Sequence, residues 1–261
     1  MKKSSTEGGL AANPRGSNFL TAQQQPIVHQ PTANRGDLLT VSAQVSASNP
    51  SLDVLMHVGH LRLFQKSRFV IGRNKFTICT GSGEEILRSR EESDGWTTEC
   101  CGKDRPFDVF ISNIQNREII HVHRPYDCDC CCSDWSGCEV LVHSPLGVLI
   151  GYVKQQVTVL GSKFTIKNAS RTNLLTISGP TITASFGNDV TFKLKNNGVE
   201  VGAIVKKWSG VVQETLTGAD NYWITFPTDL DVKLKALILA ACFLIDLVHY
   251  DSSGADKILD D

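Results

Sequence analysis

The chain has 261 residues, of which 41% are hydrophobic and 20% charged, and its formal net charge is -1. This length allows one large domain or two small ones with a sizeable core. The near-neutral charge argues against a nucleic-acid-binding surface, or a strongly basic membrane-binding surface, across the whole protein.

Residues 1–50 are rich in Ser, Ala, Asn, Gln, Gly and Pro, with few aromatic residues and no periodic apolar pattern. Such a segment cannot bury enough apolar surface to offset the entropy of folding, so we predict a disordered N-terminal tail. Its first residues lack the apolar core of a secretory signal, which favours an intracellular protein.

Residues 52–227 consist of short alternating apolar segments separated by Gly, Asn, Asp and Pro. This pattern is typical of strands at the spacing of a closed or sandwiched all-β domain, and it contains no long helical segment. The predicted strands include 61–66, 75–80, 107–112, 118–123, 139–144, 148–153, 174–178, 190–195 and 222–226.

An internal repeat lies within this region. Residues 75–78 read KFTI, and the same four residues recur at 163–166. With the same offset, Ile86 and Leu87 fall on Leu174 and Leu175. The repeat predicts two similar β halves of about 90 residues that build one sheet system.

The segment from Leu230 to Tyr250 is the one long helical candidate, because it is dominated by Ala, Leu and Lys and contains no Gly or Pro. Thr228 suits the N-cap position, and Asp229 and Asp231 suit the positive end of a helix. We therefore predict a helix over about residues 229–249, which begins near Asp229.

The predicted helix has no polar stripe, since every residue from 236 to 245 is apolar, so it must be buried on all sides. A membrane span needs roughly 20 mostly apolar residues, whereas Lys235 and Asp246 bracket only ten. This length favours burial inside the protein over a single membrane span. An all-β barrel threaded by the helix would satisfy both patterns.

A run of cysteines at 128–132, with Cys138 beyond it, lies on a loop between two predicted strands. Three interpretations compete: a zinc site that includes His121 or His123, reduced thiols without a role, and S-acylation. Adjacent cysteines cannot easily chelate one ion, whereas two or more acyl chains give stable membrane anchoring, so we favour acylation. The predicted acylation sites are Cys128, Cys130, Cys131 and Cys132.

In addition to the cysteine run, many short segments between about residues 52 and 251 resemble the phospholipid scramblase family. They are Cys100-Cys101-Gly102, Arg105-Pro106-Phe107, Arg124-Pro125, Gly151-Tyr152-Val153, Ile177-Ser178-Gly179-Pro180, Lys207-Trp208-Ser209-Gly210, Asp229-Leu230-Asp231-Val232-Lys233 and Ala241-Cys242-Phe243-Leu244-Ile245-Asp246. The resemblance implies a mainly β fold, namely a tubby-like closed barrel of about 12 antiparallel strands around a buried hydrophobic C-terminal helix. The scramblase-like domain would then span 51–251, followed by a short tail at 252–261.

The resemblance also implies an activity and a location. The activity is calcium-stimulated, ATP-independent movement of phospholipids in both directions between leaflets. The location is the cytoplasmic face of the plasma membrane, reached by palmitoylation at the cysteine run, with the single span as the open alternative. Ser133 follows Cys132 where the family has further cysteines, so fewer acylation sites are expected.

For calcium, the resemblance implies a loop just before the helix. The corresponding positions are Asp220, Tyr222, Ile224 and Asp229, and Gly218 occupies the first position, where the family has an acidic residue. Calcium takes six to eight oxygen ligands, so two carboxylates with carbonyls predict weak binding, near millimolar. Asp229 is equally suited to the start of the helix.

Three further features have competing interpretations. Lys206 and Lys207 resemble a nuclear-import segment of the family that would give an unacylated nuclear pool, but two lysines on a strand more often form a solvated face. His121 and His123 share one strand face, which is compatible with a metal but more often is a wet sheet surface. Cys242 is most simply a small buried hydrophobic residue.

No nucleophile elbow, phosphate loop or H-E-x-x-H motif occurs, so bond-making catalysis is not supported. The favoured function is a scramblase acting on membrane phospholipids. The alternative is a palmitoylated module that binds signalling or adaptor proteins or senses anionic lipid, with little scrambling. A soluble nuclear adaptor is least favoured, because no basic patch for nucleic acid is evident.

Overall fold

The structure, a computed structural model, describes residues 50–66, 75–93, 105–125, 138–156, 158, 161–181, 188–208 and 221–250. Outside these residues lie the predicted N-terminal tail up to residue 49, the cysteine run 128–132, Asp220 and the tail 252–261.

The described chain forms one closed antiparallel barrel of twelve strands, preceded by a short 3-10 helix at Pro50–Leu55. Each strand pairs with its neighbours in sequence, and β12 closes the barrel by pairing with β1. The predicted closed barrel of about 12 strands is therefore confirmed. The strands are β1 His60–Lys66, β2 Lys75–Thr80, β3 Glu85–Glu92, β4 Phe107–Asn113, β5 Glu118–Arg124, β6 Glu139–His143, β7 Leu149–Gln156, β8 Lys163–Asn168, β9 Asn173–Ser178, β10 Val190–Asn196, β11 Val199–Lys207 and β12 Asn221–Thr225.

The strands form because apolar and polar residues alternate along them, which places one set of side chains inside and the other outside. In β4, Phe107, Val109 and Ile111 are buried, whereas Asp108 and Phe110 between them remain partly exposed. Apolar inward residues from all twelve strands belong to one hydrophobic core, although a few inward residues are polar, among them Glu91 and Lys206. This alternation makes the barrel interior mainly apolar.

The C-terminal helix, α1, spans Val232–His249 and begins three residues after the predicted start. Its N-cap is Asp231, whose Oδ1 accepts hydrogen bonds from the main-chain N–H groups of Lys233 (2.9 Å) and Leu234 (3.1 Å). The prediction that Thr228 caps the helix is therefore wrong. Thr228 lies in a turn instead, closed by a hydrogen bond from Leu230 N–H to the Pro227 carbonyl.

Helix α1 lies inside the barrel, as predicted, since no residue from 236 to 245 is more than 6% exposed. Strands from different sides of the barrel contact it. Phe243 packs against Phe76 of β2, with ring centroids 5.4 Å apart, and His249 stacks on Phe192 of β10. At β7, a Cβ on Gly151 would lie 2.2 Å from the main-chain oxygen of Lys167 in β8 and 3.0 Å from the Leu237 side chain of α1, so only glycine fits here.

No helix in the described part of the chain has the length and apolar character needed to cross a membrane.

The internal repeat corresponds to strands in equivalent places. Its two KFTI segments lie on β2 and β8, six strands apart in a barrel of twelve, and Ile86 and Leu174 lie on β3 and β9. Phe76 and Phe164 are both buried, and each contacts a ring of α1. The predicted two β halves are therefore the two six-stranded halves of the barrel.

Candidate functional sites

Three of the four predicted calcium ligands lie among the described residues. Tyr222 and Ile224 are in β12, fully buried, in a strand that pairs with β1 on one side and β11 on the other. Asp229 is exposed in the turn before α1, while Asp220 and Gly218 lie outside the described residues. Calcium binding at these positions stays a prediction.

Tyr222 has a structural role besides its predicted place among the calcium ligands. Its hydroxyl donates a 2.7 Å hydrogen bond to Oδ1 of Asp246 in the barrel interior. Asp246 is only 3% exposed, so one of the two charges that bracket the apolar segment lies inside the protein. In the sequence, the inward position of Tyr222 is indicated by the alternation of Tyr222, Ile224 and Phe226 along the strand.

Lys235, the other bracketing charge, is fully buried. Its ammonium donates hydrogen bonds to three main-chain carbonyls, those of Leu55 (2.9 Å), Met56 (2.9 Å) and Thr228 (2.6 Å). Desolvation by burial lowers the pKa of Lys235, while nearby carboxylates partly oppose this effect. Because an ammonium has three donors, the three carbonyls satisfy it completely and join the 3-10 helix to the start of α1.

The two lysines of the predicted import segment are not equivalent. Lys206 is 4% exposed, and its ammonium lies 4.5 Å from the ring centroid of Tyr250. The expectation of a solvated face is therefore wrong for Lys206, because alternation along β11 turns its side chain inward. Lys207 forms an ion pair with Asp189 on the outside. Nuclear import through this pair stays a prediction.

Exposed aromatic rings and cations meet on the outer face around β1, β11 and β12. Phe64, Trp208 and Trp223 are each about 40% exposed. The Arg62 guanidinium lies 5.0 Å from the Trp223 ring centroid, and the Lys207 ammonium lies 4.6 Å from it. Rings with an apolar body beside cations suit the boundary between lipid and water. We refer to Arg62, Phe64, Lys207 and Trp223 as the Trp223 surface.

His121 and His123 of β5 lie with Asp108 of β4 on another part of the outer face. Oδ1 of Asp108 is 2.6 Å from Nε2 of His121 and 2.7 Å from Nδ1 of His123. The ligand atoms of all three side chains lie within 4.8 Å of one another. The prediction that both rings share one strand face is confirmed, and Asp108, which the sequence did not single out, completes the group.

The cysteines that the structure describes are buried, and they are Cys79, Cys138 and Cys242. Burial raises the pKa of the Cys242 thiol well above its usual value and raises that of Cys79. Cys242 is 1% exposed, which confirms it as a small buried hydrophobic residue. Cys138, the last of the crowded cysteines, faces the core, so acylation sites are to be sought at 128–132, outside the described residues.

Comparison with known proteins identifies relatives over most of the chain. The Scramblase family model matches residues 48–252. Phospholipid scramblase 1 of Homo sapiens is 37% identical over 80% of this chain and 68% of that protein. Phospholipid scramblase 2 of Bos taurus is 36% identical over 88% of this chain and 84% of that protein. Phospholipid scramblase family member 5 of Homo sapiens is 37% identical over 70% of this chain and 68% of that protein.

Among solved structures, a protein from Arabidopsis thaliana matches with a TM-score of 0.43 and 9% sequence identity. The match covers 76% of this chain and 99% of that chain.

Proposed function

The chain belongs to the phospholipid scramblase family, and we propose that it moves phospholipids between the two leaflets of a membrane in both directions without ATP. The observation that carries this proposal is the family match over residues 48–252, which includes every strand of the barrel and helix α1. The match thus covers the whole folded unit rather than one motif within it.

We further propose that the protein contacts lipid through the outer surface of the barrel. The described interior is filled by α1, whose apolar side chains pack against strands on several sides. The Trp223 surface offers large exposed rings that can enter the headgroup boundary, and Arg62 can meet an anionic headgroup there, whereas Lys207 is paired with Asp189. One such cation near an anionic membrane is worth about 1 kcal/mol of attraction.

Calcium stimulation is part of the proposal, with a site in the loop that precedes α1. In support, Asp229 is exposed at the end of that loop and available to an ion. The neighbouring Asp231 already caps the helix, since its Oδ1 accepts hydrogen bonds from two main-chain N–H groups of α1. With Gly218 at the first position, few carboxylates remain, so we propose weak binding in the millimolar range.

For membrane attachment we propose palmitoylation of Cys128, Cys130, Cys131 and Cys132 at the cytoplasmic face of the plasma membrane. The run follows β5 and precedes β6, so acyl chains there would attach one side of the barrel to the bilayer. Two or more acyl chains are needed for stable anchoring. The burial of Cys138 supports an anchor that is confined to the cysteines at 128–132.

A second candidate function is a palmitoylated binding module with little or no scrambling. The enclosed helix favours it, because the side chains of α1 are already used in the barrel core and are withheld from lipid. Lipid flipping by the purified full chain in liposomes separates the two functions. Flipping of a fluorescent lipid above the rate in protein-free liposomes supports the scramblase, and vesicle binding without flipping supports the module.

A further inference from the structure

Asp108, His121 and His123 form a compact group of metal-ligating atoms on the outer face of the barrel. Two features of the sheet create it. The side chains of His121 and His123 point to the same face, since they are two residues apart on β5. Asp108 lies directly opposite His123 in the β4–β5 register, so its carboxylate reaches both rings. The group is accessible, with side chains between 22% and 37% exposed.

The ring of His121 is held in place from both sides. On β4, the Phe110 ring stacks on it in parallel, with centroids 4.6 Å apart. On β6, His143 lies opposite His121 in the register and stacks at 5.7 Å. These contacts fix the plane of the imidazole, so Nε2 of His121 is aimed at the Asp108 carboxylate before any ion binds. Orientation of a ligand in advance is what a metal site requires of its surroundings.

From this geometry we propose that Asp108, His121 and His123 bind one divalent transition-metal ion of the zinc class. Two imidazole nitrogens and one carboxylate oxygen are a ligand set that zinc accepts, with water in the remaining position. Atoms bound to one tetrahedral zinc ion lie about 3.3 Å apart. The carboxylate must therefore withdraw from each ring nitrogen by less than about 1 Å, and the two ring nitrogens, which lie within 4.8 Å of each other, must come to that same separation. Asp108 and His123 are each more than a third exposed, so they can make this adjustment while the ring of His121 stays in place.

The ligand set also sets the selectivity. Calcium prefers six to eight oxygen ligands, and this group offers a single carboxylate, so calcium does not compete here. In the barrel, β4 and β5 are separated from β12 by β1, β2 and β3. The zinc site is therefore distinct from the proposed calcium site, whose residues lie in and around β12. A bound ion joins β4 to β5, and β5 leads directly into the segment that carries the cysteine run.

The test is Zn²⁺ titration of the purified, unacylated full chain, followed by calorimetry. Because cysteines bind zinc strongly, the titration uses a background in which Cys128, Cys130, Cys131 and Cys132 are replaced by Ser. We expect saturable binding of one ion per chain, unaffected by millimolar calcium. Either substitution, His123→Gln or Asp108→Asn, should weaken zinc binding by about tenfold or more. Even residues that only hydrogen-bond to the ligands change metal affinity by about tenfold, and these two residues are ligands themselves.

The matched control is His57→Gln, which changes an exposed histidine away from the group and leaves binding unchanged. Since the replaced side chains are on the outer face, circular dichroism should show that every variant folds as the parent does. Absence of saturable zinc binding in the background that lacks the four cysteines of the run would overturn the proposal. So would an affinity that neither His123→Gln nor Asp108→Asn changes. Neither result bears on lipid flipping, because the inference does not depend on the proposed function.

Discussion

The hydroxyl of Tyr222 lies 2.7 Å from Oδ1 of Asp246, and the hydrogen bond between them joins β12 to α1 inside the barrel. The two residues are 24 positions apart in sequence and both are buried. A carboxylate in an apolar interior is costly unless hydrogen bonds compensate it. This contact therefore helps the apolar barrel to hold a charged residue of its central helix.

Tyr222→Phe keeps the ring and removes the hydroxyl. We expect the free energy of unfolding to fall by about 1.5–3 kcal/mol, the range for a hydrogen bond to a charged group. Urea denaturation measures it, and a double-mutant cycle with Asp246→Leu, which removes the acceptor, isolates the contact. Independent effects of the two substitutions, with no coupling energy, would show that the hydrogen bond does not stabilise the fold.

Lys235→Met leaves the carbonyls of Leu55, Met56 and Thr228 without their donor. We expect a loss of about 3 kcal/mol in the free energy of unfolding, since buried polar groups lose their partner. Lys233→Met is the matched control, because Lys233 lies two residues earlier on the same helix and is only partly buried. Urea denaturation of both variants decides the point, and equal losses would contradict the special role of Lys235.

Acylation should depend on the cysteine run and not on Cys138. Replacement of Cys128, Cys130, Cys131 and Cys132 by Ser should remove hydroxylamine-sensitive acyl groups and shift the protein out of the membrane fraction of cells. Cys138→Ser, which changes a buried thiol at the end of the same segment, should leave both unchanged. Acyl exchange with a biotin label measures this directly. Full acylation of the fourfold variant would show that the anchor lies elsewhere.

Trp223→Ala should weaken binding of the unacylated chain to phosphatidylserine-containing vesicles by about tenfold. The reason is that burying about 60 Å² of ring surface at about 25 cal/mol/Å² contributes about 1.5 kcal/mol. Leu146→Ala removes another large exposed apolar side chain, from the turn between β6 and β7, and should change binding little. Sedimentation with vesicles measures both. Equal effects of the two substitutions would refute a specific role for the Trp223 surface.

Much of the fold could be predicted because its signals are local. The alternation in segments such as β4 and the unbroken apolar run of α1 each determine burial without knowledge of the partner strands. Strand β3 was harder, since its inward side includes Ser89 and Glu91. Glu91 is buried because Arg105, from another part of the chain, donates a 2.7 Å hydrogen bond to it. A pairing across 14 residues is not visible in the pattern of either segment.

The candidate sites show the same difference between local signals, which can be predicted, and contacts between strands, which cannot. That His121 and His123 share a face follows from their spacing, but the approach of Asp108 depends on the β4–β5 register, which the sequence does not fix. The helix start shows the limit of capping rules. Thr228 and Asp231 both fit them, and the turn closed between Pro227 and Leu230 decides in favour of Asp231.

Lipid flipping by the purified full chain in liposomes, followed by the accessibility of a fluorescent phospholipid to dithionite, is the most direct measurement. We expect flipping above the level of protein-free liposomes, stimulated by millimolar calcium. Asp220→Ala should abolish the stimulation, and Gly218→Asp should strengthen it by restoring a carboxylate to the calcium loop. No flipping in wild type and in Gly218→Asp alike, with the protein bound to the vesicles, would contradict the scramblase function.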